Sequence, residues 1–404
     1  MRGRLGAVAA LKSATEPHHC YPLNRGLPTQ SLLPHMRLGG RGRDPAARAG
    51  GTERAKSTLR QYRGRSCGFV WNAAFEAERL DYRDYHIDQG HSPRFVAHMQ
   101  DVAQRLVARL DERAEVRLVE VGAGRGRFLS ALLDQIGDRL DSACAYEPSG
   151  ALEVHDPRVE VRTRFFDQAA ATAHTNVQLV VSRHVIEHVP APLAFVSALR
   201  DAVVRGGWVV LETPNLDRMY EDELFHDFCY EHCNFFDPTT LDACMRAAGL
   251  EDVSVEPCFD GEYLLGFGRR GEGSAPWAPP HALKSHTTDF EAARSRWRSR
   301  VQRLPKPLVV WGAAGKGGMF AFFVDPEAEL IDAFIDIDPH KWGSFVPATG
   351  HPIHGPSAIE SLEVASVLVA NPSYLAETRD YCRTRRPQAR VWAIEARDEA
   401  VHDA

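Results

Sequence analysis

Val116-Arg117-Leu118-Val119-Glu120-Val121 runs straight into Gly122-Ala123-Gly124-Arg125-Gly126, and an apolar-periodic segment through Phe128, Leu129 and Leu132 follows. A strand, a glycine turn and a helix in that order open an α/β unit. Glycine is needed where a tight turn brings backbone against a ligand with no Cβ in the way. A dinucleotide fingerprint would place another glycine at position 127, where this chain has Arg127. Further strands are predicted at Ala143 to Glu147, Val177 to Ser182 and Trp208 to Glu212, with helical segments between them. That alternation implies a mainly parallel sheet covered on both faces. Val253 to Glu256 and Tyr263 to Phe267 read as an antiparallel edge pair.

Upstream, Ser92-Pro93 marks a helix start, since serine caps and proline suits the first turn. Phe95, Met99, Val102, Leu106 and Leu110 keep helical spacing behind it, and an aromatic lead-in from Leu80 to Tyr85 precedes it. Met1 to Ser66 shows no sustained period of either 2 or 3.6 and is expected to be a mostly disordered leader. Downstream, Gly271 to Pro280 is rich in Gly and Pro and marks a boundary. After an amphipathic helix from about Phe290 to Leu304, a second strand-turn-helix begins at Leu308-Val309-Val310-Trp311-Gly312-Ala313-Ala314-Gly315-Lys316. Strands at Ala333 to Asp336, Ser366 to Ala370 and Arg390 to Ile394 complete it. The chain thus divides into a leader (1–66), a lead-in and helix (67–110), a first α/β domain (111–270), a linker and helix (271–304) and a smaller α/β domain (305–404).

The 404 residues are 44% hydrophobic and 25% charged, enough for more than one core. No run approaches the roughly 18 apolar residues of a membrane span, so a cytoplasmic protein is expected. The eight cysteines are scattered, which argues against a secreted disulfide scaffold. Residues 1–66 hold 13 basic against 3 acidic side chains, leaving 35 against 51 for the rest of the chain, so the folded part is acidic. Neither a nucleic-acid partner nor a membrane partner is expected, and a small-molecule enzyme fits better.

The first glycine loop resembles motif I of the Rossmann-like S-adenosylmethionine-dependent methyltransferases, in which the methionine part of the cofactor lies over the glycines. The resemblance assigns Glu120, Gly122, Ala123, Gly124 and Gly126 to that cofactor, and Glu147, ending the next strand, to its ribose hydroxyls. Phe165-Phe166-Asp167 looks like the segment flanking adenine, with Phe166 to stack and Asp167 to accept from the amino group. Ser182 to Pro190 resembles the fourth-strand motif, which places His184 beside the cofactor. For Glu187 and His188 a loop-orienting role and direct contact with substrate both stay open.

Phe225-His226-Asp227-Phe228-Cys229-Tyr230-Glu231-His232-Cys233-Asn234-Phe235-Phe236 is the most unusual stretch. Adjacent His232 and Cys233 can hardly converge on one tetrahedral ion, and no second ligand pair is spaced for it, so no metal is expected here. Acid-base chemistry is the alternative: a histidine held by a carboxylate, near a phenol, can remove a proton beside a carbonyl and steady the enolate. His232, Glu231 and Tyr230 are of those types, with His188 as a further candidate.

From Cys67 to about Glu395 the order of motifs resembles the sugar C-methyltransferase family, over about four fifths of the chain. The signatures are Cys67 to Asn72 with Ala74-Phe75, the Glu120 loop, Glu231-His232 before Phe235-Phe236, Trp311-Gly312-Ala313 with Gly315-Lys316-Gly317, and Ile335-Asp336 leading to Asp338-Pro339-His340-Lys341-Trp342-Gly343. The resemblance implies an N-terminal zinc module, a Rossmann-like methyltransferase domain and a second Rossmann-like domain, with a nucleotide-linked keto sugar between the last two. It makes His232 the base, Glu231 its partner, and Tyr85 a residue that reaches the sugar. The zinc module needs paired cysteines, whereas Cys20 and Cys67 each stand alone, so the leader reads as a remnant. Cys229 stands where the deoxysugar enzymes carry tyrosine. The second glycine loop, read without the resemblance, suggests a nicotinamide cofactor and a dehydrogenase; the resemblance makes it a domain that closes the cleft and helps hold the acceptor. Lys316, near a helix N-terminus, is placed to attract a phosphate. Methyl transfer to oxygen or nitrogen of a small molecule is the other alternative.

Overall fold

The structure is a computed structural model, and it describes residues 29–34, 56–63, 68–72, 75–79, 89–174, 176–271, 288–347 and 349–395. Tyr85 and Cys67 lie outside the described residues. Strands β1 (Thr29–Pro34) and β2 (Lys56–Arg63) pair antiparallel, and β2 continues the ladder to β3 (Val70–Asn72). Two segments of the leader are therefore strands rather than featureless chain. Their ladder ends on a strand far along the sequence, so no local period announces it. Helix α1 (Pro93–Val107) begins as expected, with Ser92 Oγ accepting from the Phe95 amide at 3.2 Å. Phe95, Met99, Val102 and Leu106 on its buried side pack into the sheet.

The first α/β domain is laid down in chain order as β4 (Val116–Val121), α2 (Arg127–Ile136), β5 (Leu140–Tyr146) and β6 (Val159–Arg162). Then come α3 (Gln168–Thr172), β7 (Val177–Arg183), α4 (Pro192–Ala202) and β8 (Val203–Pro214). After β8 the chain makes α5 (Leu216–Glu221), β9 (Asn234–Phe235) and α6 (Pro238–Ala247) before β10 (Leu250–Cys258) and β11 (Tyr263–Arg270). The seven-stranded sheet has the order β10-β11-β8-β7-β4-β5-β6. Strand β11 runs antiparallel to both its neighbours, and the contacts from β8 to β6 are parallel. Two apolar cores cover its faces, one around Val119, Val180 and Leu211 and one around Leu118, Leu129 and Val181. β6 escapes a sequence reading because it is an edge strand with no buried residue. β9 pairs with β3, tying the leader's ladder to the insertion after β8.

The second domain follows α7 (Phe290–Arg303) and consists of β12 (Leu308–Trp311), α8 (Lys316–Val324), β13 (Ala333–Ile335), β14 (Ile353–His354), α9 (Ala358–Ser361), β15 (Ser366–Val369), α10 (Leu375–Arg385) and β16 (Arg390–Ala393). Its five strands are all parallel, in the order β14-β13-β12-β15-β16. Both α/β sheets thus carry a glycine loop on a central strand's C-terminal end, where such sheets bind ligands. The domains share an apolar seam: Phe225, from the insertion, packs on Phe320 at 6.0 Å and Phe323 at 5.8 Å.

Candidate active site

The floor of the site is the turn from β4 into α2. Gly122 has φ +79°, and an added Cβ there would lie 2.2 Å from Val185 Cγ2. Gly124 has φ +54°, and a Cβ there would meet nothing within 4 Å. The first glycine lets two chain segments touch, while the second leaves open space where a side chain would stand. Glu147, just beyond β5, stands at this space: Oε2 accepts from the Gly124 amide at 2.7 Å and Oε1 from the Ser149 hydroxyl at 2.6 Å. Glu120 is buried below, its Oε2 has no hydrogen-bond partner, and burial pushes its carboxyl up to about 8, with Arg183 opposing and Glu147 adding. An open glycine cradle flanked by a carboxylate fits a polar cofactor with a ribose.

Two of the adenine-side assignments shift. Phe166 is buried, edge-on to Tyr146 at 5.0 Å, so it belongs to the core; the exposed ring is its neighbour Phe165. Asp167 caps α3, its Oδ1 accepting from the Ala170 amide at 2.7 Å. Neighbouring side chains leaving an extended segment point to opposite sides, so only one of the two rings can turn outward.

Behind the turn lies an ion cluster that sequence reading missed. Arg183 and Glu212 are cross-strand partners at the ends of β7 and β8, paired at 2.9 Å and both buried. His184, with φ +54°, places Nε2 2.9 Å from Glu212, and His98 of α1 reaches the same carboxylate at 3.3 Å. The Arg183 guanidinium and the two histidines hold Glu212 well below the usual carboxylate range despite its burial. The one available sequence signal was an arginine ending the apolar run of β7. His184 therefore braces the strand ends.

The reactive cluster forms where the loop after β7 meets the insertion. Ligand-type atoms of Glu187, His188 and His232 all lie within 4.8 Å of one another. The His188 and His232 rings meet edge to face with centroids 4.8 Å apart. His188 Nδ1 donates to the Glu231 carbonyl at 2.9 Å, which leaves Nε2 as its acceptor in the neutral ring. Glu187 Oε2 accepts from Thr213 Oγ1 at 3.0 Å. Burial, and then the neighbouring His188 and Lys316, hold the His232 imidazole well below its ordinary pKa, so it is neutral. Its Nδ1 has no hydrogen-bond partner among the described residues.

The carboxylate brought to the two imidazoles is thus that of Glu187, and not that of His232's sequence neighbour. Glu231 is buried beside the Cys229 thiol, and burial pushes it up to about 7. Tyr230 turns the other way: its hydroxyl accepts from the Glu76 amide at 2.9 Å, and its ring packs on Phe75. Tyr230 fastens the lead-in to the insertion.

The second domain meets the first at the start of α8. Lys316, at the start of α8, pairs with Asp227 and, at 2.6 Å, with Glu262 of the first domain. Two carboxylates therefore meet the ammonium that the sequence assigned to a phosphate. Asp336 repeats the arrangement of Glu147: its Oδ2 accepts from the Ala313 amide at 2.8 Å, while Lys341 Nζ lies 3.2 Å from both its oxygens. Among the described residues, Asp227 Oδ1, Glu231 Oε1 and Glu262 Oε2 are buried acceptors with no hydrogen-bond partner.

Residues 95–255 match a methyltransferase domain family, and residues 282–384 match the C-methyltransferase C-terminal domain family. A curated relative, the ubiquinone biosynthesis O-methyltransferase of Paraburkholderia phymatum, is 23% identical over 154 residues, which is 35% of this chain and 66% of that enzyme. Among solved structures, an O-methyltransferase family protein from Burkholderia thailandensis is 18% identical with a TM-score of 0.35, covering 44% of this chain and 57% of that one. The CurJ carbon methyltransferase is 13% identical with a TM-score of 0.36, covering 45% of this chain and 56% of that one. The chain spans less than two thirds of each of these three proteins. The two matched stretches take in α1 with most of the first α/β domain, and α7 with most of the second.

Proposed function

We propose that this protein methylates carbon, at a position beside a carbonyl, on a hydroxyl-rich small molecule such as a keto sugar nucleotide. The observation that carries the reading is the grouping of buried Glu187 with half-buried His188 and His232, in a chain whose later residues match a family of C-methyltransferases. The bound cofactor supplies an electrophilic methyl group on a sulfonium. Neutral His232 takes the proton from the acceptor's C–H, leaving the electron pair as an enolate whose carbon forms the new bond. His188, packed edge-on against it, and Glu187 steady the positive charge that His232 acquires. The glycine cradle and Glu147 hold the cofactor in line, which is the larger part of such a displacement. Asp227 Oδ1 and Glu231 Oε1, buried acceptors without a hydrogen-bond partner among the described residues, suit the hydroxyls of a sugar.

No described helix is long and apolar enough to cross a membrane. The acidic body supports a small-molecule rather than a nucleic-acid acceptor, and the unbridged thiols, Cys233 and Cys382 among them, suit a reducing cytoplasmic setting. The curated relative's chemistry gives the second reading, transfer to oxygen. Incubation with methyl-labelled cofactor and a panel of ketosugar nucleotides, with NMR of the product, separates the two. A new C–CH3 and His232-dependent deuterium exchange beside the carbonyl are expected. A label found on oxygen or nitrogen overturns carbon transfer.

A further inference from the structure

Asp338 follows β13 at the foot of a short turn, and two imidazoles share its Oδ1. His340 Nδ1 lies 3.0 Å from that oxygen, and His91 Nε2 lies 3.5 Å from it. The three ligand atoms all fall within 4.8 Å of one another. His91 stands immediately before the cap of α1, so the group joins the start of that helix to the second domain.

We propose that His91, Asp338 and His340 bind a divalent transition ion of the zinc class, and that this ion latches the start of α1 to the C-terminal domain. Ligand atoms about 2.0–2.2 Å from a tetrahedral ion stand about 3.3–3.5 Å from one another. The two measured separations bracket that spacing, so small ring rotations suffice. Two imidazoles with one carboxylate are donors for zinc, cobalt or nickel rather than for magnesium or calcium. Three protein ligands leave a fourth position to water, and the half-open His340 side chain, 63% exposed, gives an entry path.

Lys341 approaches the other oxygen, Oδ2, at 3.6 Å, and its charge is shared with Asp336. The Asp338 oxygen that faces the imidazoles is therefore also the one away from the ammonium. The surroundings are built for docking: Ser92 Oγ donates to Glu377 Oε2 at 2.6 Å, and the Tyr374 hydroxyl donates to Gln89 Oε1 at 2.9 Å. The ion completes this seam at its edge. Two other groups among the described residues have comparable ligands. Glu187, His188 and His232 belong to the reaction, and the carboxylate of the His98, Glu212 and Cys258 group is already neutralised by Arg183.

The test uses the full chain, stripped with chelator and titrated with zinc chloride, in a His188→Ala/His232→Ala background that removes the competing ligands. One zinc per chain is expected by elemental analysis, with a rise in the thermal midpoint. Cobalt should give the visible bands of a four-coordinate site. Adding His340→Ala, a change at an exposed side chain that leaves the fold intact, should weaken zinc by at least about tenfold and abolish the midpoint shift. His91→Ala should do the same from the other side of the seam. Failure of the parent to bind zinc, or equal affinity in the parent and both variants, overturns the proposal.

Discussion

His188 and His232 meet edge to face at 4.8 Å, one from the loop after β7 and the other from the insertion after β8. The loop between β7 and α4 and the insertion are held together by more than this pair: the Cys233 amide donates to the Glu187 carbonyl at 2.8 Å, and Asn234 Nδ2 donates to the carbonyls of Ile186 at 3.1 Å and Val189 at 2.6 Å. These contacts hold the two rings in place, as the proposed proton transfer requires.

Replacing His232 by Asn should lower turnover by about 10²–10⁴, the usual worth of a positioned general base. Cofactor affinity should be unchanged, since the glycine cradle and Glu147 lie on other segments. His188→Ala should also slow turnover, and the double variant should be little worse than His232→Asn, because the two act as a unit. Wild-type rates in His232→Asn would remove it from the chemistry.

The two carboxylates should separate cleanly. Glu187→Gln should cut turnover, because a neutral amide cannot support the imidazolium, whereas Glu231→Gln should keep most of it. A larger loss in Glu231→Gln than in Glu187→Gln would return the partner role to the sequence neighbour.

Glu231 also makes a stability prediction. Its carboxyl is raised to about 7 by burial, so the folded state holds a proton that the unfolded chain has already lost, and stability falls as pH rises from the ordinary carboxylate pKa to about 7. Glu231→Gln should therefore be more stable than the parent at pH 8, by about 1–3 kcal/mol, and near it at pH 4. Denaturant melts at the two pH values measure this.

The rate profile follows from His232. A base held well below the ordinary imidazole pKa stays neutral into mild acid, so the acid limb of kcat should lie below about pH 6.5. A limb above pH 7 that His232→Asn abolishes would contradict the direction of that shift.

Glu147→Ala should weaken S-adenosylmethionine binding by about 1–3 kcal/mol by calorimetry, with the same melting behaviour as the parent. Arg183→Met, by contrast, leaves Glu212 buried without its guanidinium and should destabilise the fold by about 3–5 kcal/mol. Equal stability of parent and Arg183→Met would mean that His98 and His184 alone suffice for Glu212.

Whatever rests on neighbours within one element or one turn was legible from the chain alone. β4, its glycine turn and α2 follow from apolar runs and from backbone conformations that only glycine adopts at no cost, and Ser92 announces α1 because its cap bond spans three residues. Glu147 and Asp336 were legible for the same reason, each being the first acidic residue past a strand that runs beside its own glycine loop. Which side chains from distant segments meet was settled by packing. Glu231 and His232 are adjacent in sequence, yet Glu231 buries beside Cys229 and His232 turns to His188 and Glu187. Tyr230 turns to Glu76, and Lys316 finds Asp227 and Glu262 in the other domain. Consecutive residues in a tight, irregular segment leave the backbone in different directions, and the burial that sets their charge comes from elements far away in the chain, which no local pattern records.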